Sequence, residues 1–159
     1  MAQEFYVTIE GSKQGKLKGE SIREAHKEKV AGLSFGYEVK SPRDVASGQA
    51  SGKRQHGAVS FTKEWGAASP QLFQALVSNE VLKSVTFEFV RTTETGEEQV
   101  YHTVKLSNAT VSGIRQLVRD VKEVRANDTQ ELEEISMTFQ RIEIDNKTGK
   151  TAAADDWTK

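Results

Sequence analysis

Residues 59–91, VSFTKEWGAASPQLFQALVSNEVLKSVTFEFVR, decide the fold. Val59 and Phe61 alternate with Ser60 and Thr62, the period of a strand buried on one face. Ser69-Pro70 then places a side-chain oxygen at an expected N-cap and a proline at the first helical position, where a missing N–H is harmless. Leu72, Phe73, Leu76 and Val77 form one apolar stripe on a short helix. Val85, Phe87 and Phe89, alternating with Ser84, Thr86 and Glu88, give a second strand. Strand, capped helix, strand is the reading.

The flanking segments have the period of strands and not of helices. Phe5, Val7 and Ile9 alternate with polar neighbours; Leu33, Phe35, Tyr37 and Val39 share one face. Val100, His102, Val104 and Leu106 follow the turn Glu94-Thr95-Gly96-Glu97, a hairpin connection. Residues 110–118 read as a further strand, weakened by Gly113. Ile135, Met137 and Phe139 form the last, and the parity then moves to Ile142 and Ile144, which predicts a β-bulge or bend at Gln140-Arg141. The expected fold is mainly β: an antiparallel β-barrel or sandwich with one lateral α-helix. The division expected is a β-barrel domain over 1–145 and a polar, mobile C-terminal tail over 146–159, with Trp157 its one large apolar residue.

Composition removes whole classes of function. A net charge of −1 over 159 residues gives no reason to expect nucleic acid or a membrane surface as partner. No apolar run approaches the roughly 18 residues of a membrane helix, so no membrane insertion is expected. The N-terminal residues lack the basic-then-apolar order of an ordinary signal peptide. Cysteine is absent, which excludes disulfides, thiol catalysis and thiolate metal sites.

The search for chemistry leaves little. His26, His56 and His102 have no metal-ligand spacing and read as surface or strand residues. Asp155-Asp156 sits in the tail, a poor place to hold a metal. Gly149-Lys150-Thr151 lacks the upstream glycine of a phosphate loop. Asn108, Asn127 and Asn146 begin tripeptides of the glycosylation type, which arise often by chance. Asp128, Glu131, Glu133 and Glu134 read as a solvated charge run. No catalytic residue, cofactor or metal is expected, and the chain is read as a non-enzyme. The stretch 41–57, SPRDVASGQASGKRQHG, is different: a long polar loop between two strands is usually functional or disordered. Ordering it costs about 1–2 kcal/mol of backbone entropy per residue, which a partner surface would offset.

Certain motifs fall in a familiar order: Gly19-Glu20-Ser21, His26-Lys27, Leu33-Ser34-Phe35, Ser41-Pro42-Arg43, Gly52-Lys53-Arg54, Phe61-Thr62-Lys63, Ala68-Ser69-Pro70 with Leu72, and Val85-Thr86-Phe87. From Phe5 to Phe139 the chain resembles the haemolysin-coregulated (Hcp) proteins of type VI secretion systems. It departs from them in the long charged segment 118–134, around Trp65-Gly66-Ala67, and in the tail. The resemblance implies a homo-hexameric ring that stacks into the inner tube driven by a contractile sheath. It implies a spike protein, sheath proteins and effector cargo as partners. It also implies a cytoplasmic chain exported through the apparatus, and a lumen that chaperones effectors. By the same resemblance residues 41–57 match the extended loop that reaches the next ring, so that Arg43, Asp44, Lys53 and Arg54 make inter-ring ion pairs. The rivals are a phage-like tail-tube subunit of the same architecture and a monomeric ligand-binding β-barrel.

Overall fold

The computed structural model describes residues 4–19, 29–118, 120, 122 and 131–156. Its strands are β1 (Glu4–Gly11), β2 (Gly15–Lys16), β3 (Val30–Gly32), β4 (Ser34–Gly36), β5 (Val39–Lys40), β6 (Gln55–His56), β7 (Val59–Glu64), β8 (Leu82–Thr92), β9 (Glu98–Val118), β10 (Glu131–Thr138), β11 (Arg141–Asn146) and β12 (Thr151–Asp156). The single helix among the described residues, α1 (Ala68–Val77), lies between β7 and β8. Every strand pairing is antiparallel. The expected mainly β architecture with one helix is present, as a sandwich.

Its two layers share one strand. The first half of β9 pairs with β8 and β11, extending a layer that runs from β1 through β8, β9 and β11 to β12. The second half pairs with β10, which leads to β7 and β4. Residues 98–118 are therefore one strand, where the sequence pattern reads as two. Asn108, at φ 50°, lies between its two halves. Gly113 marks a bulge: Ser136 faces Gly113 while Met137 faces Val111, so Ser112 is the extra residue. The parity change near Gln140-Arg141 has another cause than a bulge. The chain leaves one layer after β10 and enters the other at β11.

Alternation puts Phe5, Phe87 and Phe89 on the inner face of one layer and Phe61 on that of the other, with Phe35 between them. Ring centroids are 5.0 Å apart for Phe35–Phe87, 5.3 Å for Phe5–Phe89 and 5.4 Å for Phe61–Phe87, so these edge-on and tilted rings fill the interior.

The helix differs from its expected cap. It begins at Ala68 with Ala67 as N-cap and no capping side chain, which puts Pro70 third in the first turn, where its missing N–H is still harmless. Ser69 Oγ accepts bonds from Gly66 N at 3.0 Å and from the buried Lys63 Nζ at 3.2 Å. The apolar stripe is also rotated. Ala68, Leu72 and Ala75 are buried and Leu76 packs against them, while Phe73 and Val77 are more than half exposed. At the helix end, buried Glu80 accepts bonds from the backbone N–H groups of Lys13 and Gln14, both at 3.0 Å. Burial pushes its carboxyl up, but these bonds outweigh that and hold it below the ordinary range.

The tail is the largest correction. Thr151–Asp156, expected to be mobile, pairs with β11 from Arg141↔Asp156 to Asn146↔Thr151. Gly149-Lys150 lies in the turn of this hairpin, with Lys150 at φ 55°, and opens no helix.

Candidate functional site

The loop 41–57 is built as an arm. Val39↔His56 and Lys40↔Gln55 pair at its base, and Arg43↔Ala50 bridge further out. Gly57 N donates to Glu38 O at 2.8 Å, Ser51 N to Pro42 O at 2.9 Å and Asp44 N to Gln49 O at 2.8 Å. At the tip Gly48 N donates to Asp44 O at 2.8 Å, and Gly48 takes the left-handed φ of 73° that glycine tolerates best. The Asp44 carboxylate accepts Ser47 Oγ at 2.9 Å and Ala46 N at 3.2 Å, and these bonds, the Ser47 hydroxyl first, hold its carboxyl below the usual range. The turn thrusts Val45 outward at 102% exposure, an unusual place for an aliphatic side chain.

The arm's base rests on the C-terminal hairpin. Arg54 Nε donates to Asp155 Oδ2 at 2.6 Å and Arg54 Nη2 to Asp156 O at 2.7 Å. His56 Nε2 lies 2.7 Å from the same Oδ2, and His56 Nδ1 lies 2.6 Å from the Tyr37 hydroxyl. The bond from Arg54, then that from His56, lowers the Asp155 carboxyl to about 2. An ionised carboxylate only accepts, so Nε2 carries the proton, and in the neutral ring Nδ1 accepts the Tyr37 O–H. Burial first, and then the Asp155 charge, pushes the Tyr37 phenol up. Phe139 packs on this cluster, its ring 5.4 Å from that of His56 and 6.1 Å from that of Tyr37. A groove of about 330 Å³ runs between the arm and the hairpin, with Ile142, Ile144 and Ala153 beneath and Arg54, His56 and Asp155 at its edge.

The four expected site residues do not gather in one cluster. Arg43 and Lys53 are exposed on opposite arms of the loop. Asp44 shapes the turn, and Arg54 faces inward to Asp155. His56 is buried at the arm's base with 3% side-chain exposure; His102 packs beside Phe89; His26 lies outside the described residues. Asn108 donates to Gln140 and Asn146 accepts Gly149 N, while Asn127 lies outside the described residues. Glu131 and Glu134 are exposed and Glu133 is buried against Lys63, so the charge run is not uniformly solvated; Asp128 and Trp157 lie outside the described residues. The sequence reading takes Tyr37 only as a strand residue and sets Asp155 aside in the tail, so it misses their meeting at the arm. They are 118 positions apart, and only the pairing of β12 brings Asp155 to the loop.

On the outer face of the first layer the register aligns Thr8, Thr86, Lys105 and Glu143 across four strands. The next row is Glu10, Ser84, Ser107 and Arg141. In these two rows the face is polar from β1 to β11.

Comparison with known proteins agrees with this architecture. Residues 6–145 match the family described as "Type VI secretion system effector, Hcp". The "Major exported protein" of Pseudomonas aeruginosa is 32% identical over 99% of this chain and 96% of its own. A crystallised Hcp protein superposes with a TM-score of 0.92 at 29% identity, covering 99% of both chains. The secreted protein Hcp3 of Pseudomonas aeruginosa superposes at 0.80 with 28% identity, covering 98% of this chain and 99% of its own. Membership follows from the length of the match together with the shared fold: the chain belongs to the Hcp family of type VI secretion system proteins.

Proposed function

We propose that this chain is a non-enzymatic tube subunit: six copies close into a ring, rings stack, and the tube is exported with or around effector cargo. The observation that carries the stacking role is the arm at 41–57. It is ordered by its own hydrogen bonds, yet it ends in a wholly exposed valine with nothing of its own chain to cover it among the described residues. Docking against a second copy would bury that side chain. Arg43, two positions from Val45, supplies charge near the tip and Lys53 nearer the base, Asp44 preorganises the turn, and Arg54 fixes the base.

The polar face of β1, β8, β9 and β11 suits a water-filled lumen. A head-to-tail interface closes into a ring when the rotation per subunit divides the circle. Spike, sheath and cargo are the partners this role requires. Membership in a family of secretion-system proteins supports a role without catalysis. Filling of the interior by phenylalanine rings speaks against a monomeric ligand-binding barrel, which needs a cavity of several hundred Å³.

Deleting 46–51 tests the stacking role. The shortened chain is expected to fold and form single rings but no tubes in negative-stain images. Tubes of wild-type length after the deletion would remove the role given to the arm.

A further inference from the structure

Among the described residues the arm has no backbone pairing with the main sheet: β5 and β6 form a two-stranded sheet of their own. Isolated two-stranded hairpins are marginally stable in water. Something else must set the direction in which Val45 points. The hydrogen bonds that join the arm to the hairpin beneath it run from Arg54 and His56 to Asp155 and Asp156.

Resting on the stacking role proposed above, we propose that Asp155 is a positioning residue for ring stacking, holding the arm through Arg54 and His56 so that its tip meets the next copy in one fixed direction. The placement of Asp155 makes this possible. On β12 it faces Ile142 across the register, on the side of the sheet that carries the core, while its neighbours Ala154 and Asp156 belong to the opposite side. From there one oxygen, Oδ2, receives both Arg54 Nε and His56 Nε2. Arg54 is held at a second point by the Asp156 carbonyl, and the two bonds together orient the planar guanidinium. His56 is fixed at its far nitrogen by Tyr37, the last core-packed residue before the arm begins. Among the described residues, the strand bearing the carboxylate is the edge of its layer and pairs with β11 alone. The C-terminal hairpin thereby controls an element about a hundred residues earlier in the chain.

The test compares full-length wild type, Asp155→Ala, Asp155→Glu and the 46–51 deletion. Amide hydrogen exchange is read across 39–56 and across β1 and β8, ring mass is read by sedimentation, and tubes are counted in negative stain. For Asp155→Ala the expected result is an unchanged ring mass and unchanged exchange in β1 and β8. Exchange across 39–56 should be at least about tenfold faster, and tubes about tenfold fewer, the scale of a lost hydrogen bond to a charged group. Asp155→Glu, which keeps the carboxylate, should recover most of both. Arm exchange and tube number unchanged in Asp155→Ala would overturn the proposal, as would tube loss without any change in the arm. If the 46–51 deletion itself still forms tubes, the stacking role fails instead. If the deletion abolishes tubes and Asp155→Ala does not, only the positioning role fails.

Discussion

The pair Lys63–Glu133 shows how much one residue can conceal. Both side chains are fully buried, with Nζ and Oε1 3.7 Å apart. Lys63 also donates to Glu64 O at 2.8 Å and to Ser69 Oγ, and Gln116 Nε2 donates to Glu133 Oε2 at 3.3 Å. Removing one member leaves an uncompensated buried charge, so Lys63→Met should cost about 3–5 kcal/mol in urea unfolding, while the double change with Glu133→Leu should recover most of it. A cost below about 1 kcal/mol for the single change would mean that the pair is not buried as charges. The burial was legible in principle: Glu133 shares strand parity with Ile135 and Met137, and Lys63 with Val59 and Phe61. A dense run of acids masked that parity. Asp155 supports a second prediction. The groups facing it are Arg54, His56 and, through His56, Tyr37; Arg141 and Glu143 pair with each other on the opposite face. A lowered carboxyl stabilises the fold above its ordinary range and loses that contribution as pH falls through the folded value. Exchange protection of 39–56 should therefore stay level from neutral pH into the ordinary carboxylate range, then fall toward about 2. Loss of protection already at pH 6 would contradict this.

Among elements, strands with one buried face were readable because alternation records that face directly. The helix was readable as an element but not in its rotation, since Phe73 and Val77 look no less apolar than Leu72 and Ala75. Core packing decides between them, so Leu72→Ala should cost about 2–5 kcal/mol and Phe73→Ala about 0.5 kcal/mol or less, measured by chemical denaturation of the same preparation. Equal losses would put the helix in a different orientation. Strand β12, of sequence TAAADD, was illegible for a plain reason: alanine and aspartate are poor strand formers, and their place is set by pairing with β11. The length of β9 was hidden likewise, because Asn108 and Gly113 resemble breaks in a sequence and act as a bend and a bulge in a sheet.

At the scale of the whole molecule, the two layers, their shared strand and the aromatic interior account for one subunit. The polar rows of the outer face and the exposed tip of the arm point beyond it. Those surfaces carry little local pattern, so the sequence announced them only by family resemblance and by the length of a polar loop. If the subunit closes into a ring, the native mass of the purified chain shows it. A particle about six times the 17.6 kDa chain is expected, present even when the arm is deleted. A species of one-chain mass at every concentration reached would rule the ring out.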